Sequence, residues 1–166
     1  PEVTSTLPAN LAADVSTSST ITVNFSEAVD IAAGGITLNC GAPVTFNAGP
    51  LPASNATSIV LTPSSALPEG ANCVGQAVAS LVTDSDTIDP PDQMVANFDW
   101  SFSTDAAPEV SSVTPVEAAV VSTTQTIAVN FSENVDLSAA AFTLNCGGAI
   151  AVTGVPALPA TNTPSI

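Results

Sequence analysis

The sequence predicts an all-β chain built as two successive β-sandwiches of like design, the first complete and the second truncated. Three observations predict it. Apolar and polar residues alternate in the stretch TITVNFSEAVD (20–30), where Ile21, Val23 and Phe25 share one face. That is the period of a strand with one buried side. The same stretch returns at 126–136 as TIAVNFSENVD, with Ile127, Val129 and Phe131 in the same places. Turn residues then punctuate the chain about every eight to twelve positions, the spacing of an all-β sandwich, and no window of comparable length carries a helical period.

The repeat runs well beyond that stretch. Pro1-Glu-Val-Thr-Ser returns as Pro108-Glu-Val-Ser-Ser, an offset of 107. Ile21 and Cys40 return as Ile127 and Cys146, an offset of 106, so the second copy has lost one residue between these landmarks. Leu51-Pro52 returns as Leu158-Pro159, and the offset is again 107. A repeat of about a hundred residues is the size of an immunoglobulin-like sandwich. The domains read as 1–106, one immunoglobulin-like sandwich, and 107–166, the N-terminal part of a second.

In the first copy, residues 2–6 read as an edge strand closed by Pro8. Residues 19–26 are the central strand, ending in a polar corner at Ser26, Glu27 and Asp30. Residues 35–40 and 43–47 look like a strand pair around a Gly41 turn. Residues 57–62 form a strand stopped by Pro63, 71–83 a longer one, and 95–104 the last. The expected core is Val3, Ile21, Val23, Phe25, Ile36, Leu38, Phe46, Ile59, Leu61, Leu67, Val82, Phe98, Trp100 and Phe102. Trp100 is the single Trp, and the strand expected beside it carries Gly75 and Ala77, small enough to leave room for an indole. Residues 105–108 are a short linker ending in Pro, which restricts hinge motion.

Composition narrows the function. The 166 residues hold 15 acidic side chains and no Lys, Arg or His, a formal charge of −15. Nucleic-acid binding needs cations for the phosphates, and docking to anionic lipid needs them too. Catalysis through His, Lys or an Arg clamp is excluded within this chain. No side-chain salt bridge can form, so stability must come from strand pairing, apolar burial and covalent staples. No apolar run approaches the length of a membrane-spanning helix. The chain opens on Pro1 without a leader and stops in mid-pattern, so the expectation is a segment of a longer, processed protein.

The three cysteines fit the repeat. Cys40 and Cys73 lie in the complete copy, and Cys146 is the counterpart of Cys40. The expected pairing is a Cys40–Cys73 disulfide, with Cys146 paired to a cysteine beyond the visible chain. The loop closed by the first pair is worth roughly 3–4 kcal/mol in the chain-entropy picture and implies an oxidising compartment. Free buried thiols are the alternative; zinc is disfavoured with two cysteines per copy and no His.

These pieces, in order, carry a resemblance. They are Pro-x-Val, I-x-V-x-F-S-E-x-V-D, F/I-T-L-x-C, L-T-P-x-x-x-L-P-x-G (61–70), V-T-D-x-D-x-x-D-P-P-D-x-M (82–94) and F-x-W-x-F-S-T (98–104). The set resembles the bacterial Ig-like domains of the S-layer-protein type, in a cysteine-bearing variety, which recur in tandem in surface-layer, adhesin-like and other secreted proteins. The resemblance implies a spacer or structural module outside the cell and no catalytic residue.

Three kinds of candidate site remain. Asp84, Asp86, Asp89 and Asp92 place oxygen ligands at intervals along one loop, as Ca²⁺ requires, and Glu27 or Asp30 could join them. The stretch lacks the Gly and terminal Glu of an EF-hand loop. The plainer reading is a solvated acidic turn stiffened by Pro90-Pro91. A Glu27–Asp30 acid–base pair is conceivable, but a corner present in both copies fits turn-shaping better. Asn24, Asn55 and Asn130 match the N-glycosylation pattern, and Asn55, expected on a loop, is the accessible one.

The expectation is therefore a non-enzymatic, extracellular or cell-surface repeat protein of a surface layer, fibre or adhesin stalk. It requires no cofactor, leaves calcium open, and has neighbouring copies of the same repeat as partners. The alternatives are a module binding carbohydrate or protein on its loops, and a spacer attached to a secreted enzyme.

Overall fold

The structure, a computed structural model, describes residues 1–47, 51–86, 88, 90–151, 153–154 and 156–166. The chain divides into two compact units, Pro1–Ala106 and Ala107–Ile166. Among the described residues the only helical element is a 3-10 turn, so none is long and apolar enough to cross a membrane as a helix.

The first unit is a two-layer β-sandwich. Its strands are β1 (Val3–Leu7), β2 (Ala12–Val15), β3 (Ile21–Ile31), β4 (Ile36–Asn39), β5 (Ala53–Leu61), β6 (Asn72–Ala77), β7 (Val82–Asp84) and β8 (Phe98–Thr104). One layer runs β1-β3-β5, with β7 also paired to β3; the other runs β2-β8-β6-β4. All pairings are antiparallel except the short β2–β8 contact. The alternation expected in β3 is realised, because Ile21, Val23, Phe25, Val29 and Ile31 are all buried between the layers.

Four elements differ from the sequence reading. The central strand does not end at the polar corner but runs on to Ile31. Its register slips between Asn24 and Val29, and it changes neighbour from β1 to β7 on one side. The bend satisfies the strand's backbone with a new partner, so Ser26 and Glu27 need not stop it. Residues 71–83 are two strands in different layers, β6 and β7, joined by the 3-10 turn Ala79–Leu81. Residues 43–47 contribute only isolated bridges, Asn39 to Pro43 and Phe46 to Pro63. The sequence reading also has no counterpart to β2.

The expected core is buried except Val3, Phe46 and Phe98, which are half-buried and pack against it. Val29, Ile31, Ala77 and Met94 join it. Gly75 sits opposite Trp100 across the β6–β8 ladder. A Cβ on Gly75 would overlap the indole Cζ2, Cε2 and Cη2 atoms, so the small residue is what admits the ring. Cys40 and Cys73 form a disulfide, both buried. It extends the β4–β6 ladder by one step beyond the Asn39–Val74 pair and thus staples neighbouring strands of one layer.

The second unit contains β9 (Val110–Thr114), β10 (Ala128–Leu137), β11 (Leu144–Asn145), β12 (Ala149–Ile150) and β13 (Ala160–Ser165). Its sheet order is β13-β10-β9, with β11 and β12 as a separate hairpin. Cys146 is a free, exposed thiol.

Candidate functional site

The acidic end of the first unit forms where β3 leaves β1 and meets β7. That switch sets Asp30 opposite Thr83 and Val29 opposite Asp84. The Asp30 carboxylate Oδ1 accepts the Asn55 backbone N–H at 2.8 Å and the Ser85 hydroxyl at 3.2 Å. Asn55 has φ 52°, a left-handed conformation in which its amide leaves the ladder and turns to the carboxylate. A bond from an amide to an ionised oxygen is among the stronger neutral–charged contacts. Asp30 therefore pins one strand and one loop to the sheet.

The loop after β7 uses its own carboxylates in the same way. Asp84 Oδ1 accepts the Asp86 amide at 3.2 Å, and Asp86 Oδ1 accepts the Ile88 amide at 2.8 Å. These are turns closed by an aspartate two residues back. The Asp84 amide donates to the Asp92 carbonyl at 2.9 Å, which closes the loop on itself. Among the described residues, Asp84 Oδ2 is buried without a partner. The expected calcium ligand Asp89 lies outside the described residues. Among those described, no three acidic or thiol side chains converge as a cation cage. Asp84 and Asp86 spend an oxygen each on backbone, and Asp92 contributes its carbonyl to the loop.

Beside Asp30 lies an open hollow of about 280 Å³, lined by Ala53, Ser54, Ser80 and Thr83 among others. Among the described residues its lining holds a single carboxylate, that of Asp30, and so no acid–base pair. Glu27 lies within the continuous strand β3, and Asp30 is its next-to-last residue.

The glycosylation candidates are also placed. Asn55 is exposed but belongs to β5, not to a loop. The reason is the Asp30 bond, which keeps a left-handed residue within the strand. Asn24 and Asn130 donate their side-chain amides across a strand pair, to Ser5 Oγ and Ser112 Oγ, each at 2.9 Å.

The polar residues of the second unit repeat this scheme. Asp136 Oδ1 accepts the Asn162 amide at 2.8 Å, as Asp30 does with Asn55, and Asn162 has φ 52°. The Glu109 amide donates to Ser132 Oγ at 2.9 Å, as Glu2 does to Ser26 Oγ. What recurs is a set of strand clamps, not a set of reactive groups. The sequence signal for them was the repeated N-F-S-E-x-V-D corner, whose partners Asn55 and Asn162 no local pattern points to.

The sequence model described as bacterial Ig-like domain matches residues 1–104. The chain belongs to that family. The match covers the whole first unit of this bacterial Ig-like protein up to the end of β8. No curated protein matches it. Among solved structures, the crystal structure of selenomethionine PcoC, a copper resistance protein from Escherichia coli, is similar at 22% identity, with a TM-score of 0.41. That likeness covers 63% of this chain and 100% of the other.

Proposed function

We propose that this bacterial Ig-like chain is a mechanical module outside the cell, part of a tandem array of the S-layer type in a surface layer, fibre or adhesin stalk. The observation that carries the reading is the recurrence of the same three side-chain clamps, at matching positions, in two successive units. Selection that keeps how strands are held together, rather than a reactive cluster, suits a part whose work is to stay folded under load. The buried disulfide supports an oxidising, secreted or surface setting. The reading assigns no catalytic role, in keeping with a chain that has no His, Lys or Arg. It requires no cofactor either, and the expected melting midpoint is the same in calcium and in chelator; a rise with calcium would reopen the Asp84 loop as a site. On this reading residues 105–108 set the pitch between beads.

Stretching single molecules of the full chain tests the proposal. The first unit should rupture in one event. Reductant should lengthen the released chain by roughly 12 nm, the reach of the 33-residue separation between Cys40 and Cys73. Extension of the first unit with no rupture event would rule out a load-bearing role.

A further inference from the structure

One side of the first unit is built from uncharged sequence, with Asp30 reaching it only at Asn55, near the start of β5. No charged residue lies between Asp30 and Glu69, and none follows Asp136 in the second unit. The uncharged run from 31 to 68 folds into β4, the segment 43–47 and β5. These pieces form one continuous surface, because an open groove of about 470 Å³ is lined by Ile36, Leu38, Val44, Phe46 and Leu61, from all three.

That side carries two sheet edges, and they are finished differently. The edge of β4 is covered by its own return: Asn39 bridges Pro43, and the Val44 amide donates to the Leu38 carbonyl at 2.9 Å. Just past the end of β5, Thr62 and Ser64 bond to Asn47 and Thr45, but among the described residues the edge of β5 itself is not covered. β5 pairs with β3 on one side only. Among the described residues, none of residues 56–61 makes a backbone bond beyond that ladder. The other edges carry the usual protections. β1 begins beside Glu2 and is broken by a bulge between Val3 and Ser5, and β2 is four residues long and contains Asp14. β5 has nine residues, no charge and no proline, and Val60 stands 52% exposed on it.

We propose that β5 is a self-docking edge, and that its occupant is the β5 edge of a second copy of this chain, joined as an antiparallel extension of the β1-β3-β5 sheet. The charge argues for that occupant over others. A cationic partner would seek the carboxylates, and residues 56–61 of β5 carry none. A neutral strip on a chain of net charge −15 is what a like-charged partner needs, since the carboxylate-bearing surfaces of two copies repel. A two-fold pair of identical edges is self-complementary and satisfies the open N–H and C=O groups of both strands. The proposal deepens the array reading by naming a lateral contact, but it stands on the charge and edge observations alone.

The test is sedimentation of the full chain over a range of concentrations, in a Cys146→Ser background so that thiol-linked dimers do not count. The parent should associate, and more tightly as salt rises, because screening removes repulsion. Two matched substitutions then locate the contact. Val60→Glu puts a carboxylate at the β5 edge, and Val74→Glu puts one at an equally exposed Val (51%) on β6, which has neighbours on both sides. Val60→Glu should weaken association by about tenfold or more, since a symmetric pair takes the added charge twice; Val74→Glu should leave it near the parent. Circular dichroism confirms that both variants are folded. A parent that stays monomeric at every concentration and salt overturns the proposal, and so does equal weakening by both variants. Either result leaves the mechanical reading intact, because that one fails only in the stretching experiment.

Discussion

The central sheet of the first unit and its counterpart in the second are nearly the same sequence in different surroundings. β3 and β10 share the N-F-S-E-x-V-D stretch, the Asn–Ser cross-strand bond and the aspartate clamp on a left-handed Asn. Yet Ile21 is fully buried, and Ile127 is 47% exposed. The difference is the facing layer. In the first unit, β2-β8-β6-β4 lies over that apolar face and adds Trp100, Phe102 and the disulfide. In the second, the described strands include no such layer. Val129 is buried like its counterpart Val23, so the comparison teaches that local pattern suffices to lay out strands and their polar clamps, whereas burial of the whole apolar face comes from strands far along the chain.

The largest break in that comparison is expected at Trp100, the biggest fully buried side chain. Trp100→Ala should cost roughly 3–5 kcal/mol, as large core truncations do. Gly75→Ala, which pushes a methyl into the same ring, should cost about 1–3 kcal/mol through overpacking. Urea unfolding followed by Trp fluorescence reads Gly75→Ala, and circular dichroism reads both. Next is the staple. Cys73→Ala, with Cys40→Ala to avoid a stray thiol, should cost roughly 3–4 kcal/mol in the first unit. It should leave the second unit unchanged, as followed by amide exchange in residues 128–137. Smaller again is the aspartate clamp. Asp30→Ala should cost about 1.5–3 kcal/mol, the range for bonds to charged groups. Asp136→Ala should loosen β13 without touching the first unit.

Much of this arrangement was legible in the sequence, and what was not has a physical reason. The alternation in β3 declares its buried face because a strand's side chains alternate whatever its neighbours are. Gly75 and Trp100 were readable as a pair because a large ring needs a small residue across the ladder. The disulfide followed from the repeat. The run of β3 past Glu27 was not legible, because a strand continues when a new partner, here β7, takes over its backbone bonds, and that partner is over fifty residues away in the chain. The break in 71–83 was hidden for a similar reason. No Gly or Pro marks 78–81, and the 3-10 turn there serves a crossing between layers rather than a local preference. At the acidic end, the carboxylates were visible but their use was not. Asp30 could pass for a ligand or a catalyst until Asn55, a residue expected on a loop, was found in a strand with its amide on that oxygen.

The central claim is that the facing layer, not the strand pattern, gives this fold its stability. Native-state amide exchange on the full chain tests it directly, comparing residues 22–25 of β3 with residues 128–131 of β10. The account expects the first set to exchange only with global unfolding of its unit, and the second to exchange orders of magnitude faster through local opening. Equal protection of the two sets would contradict it.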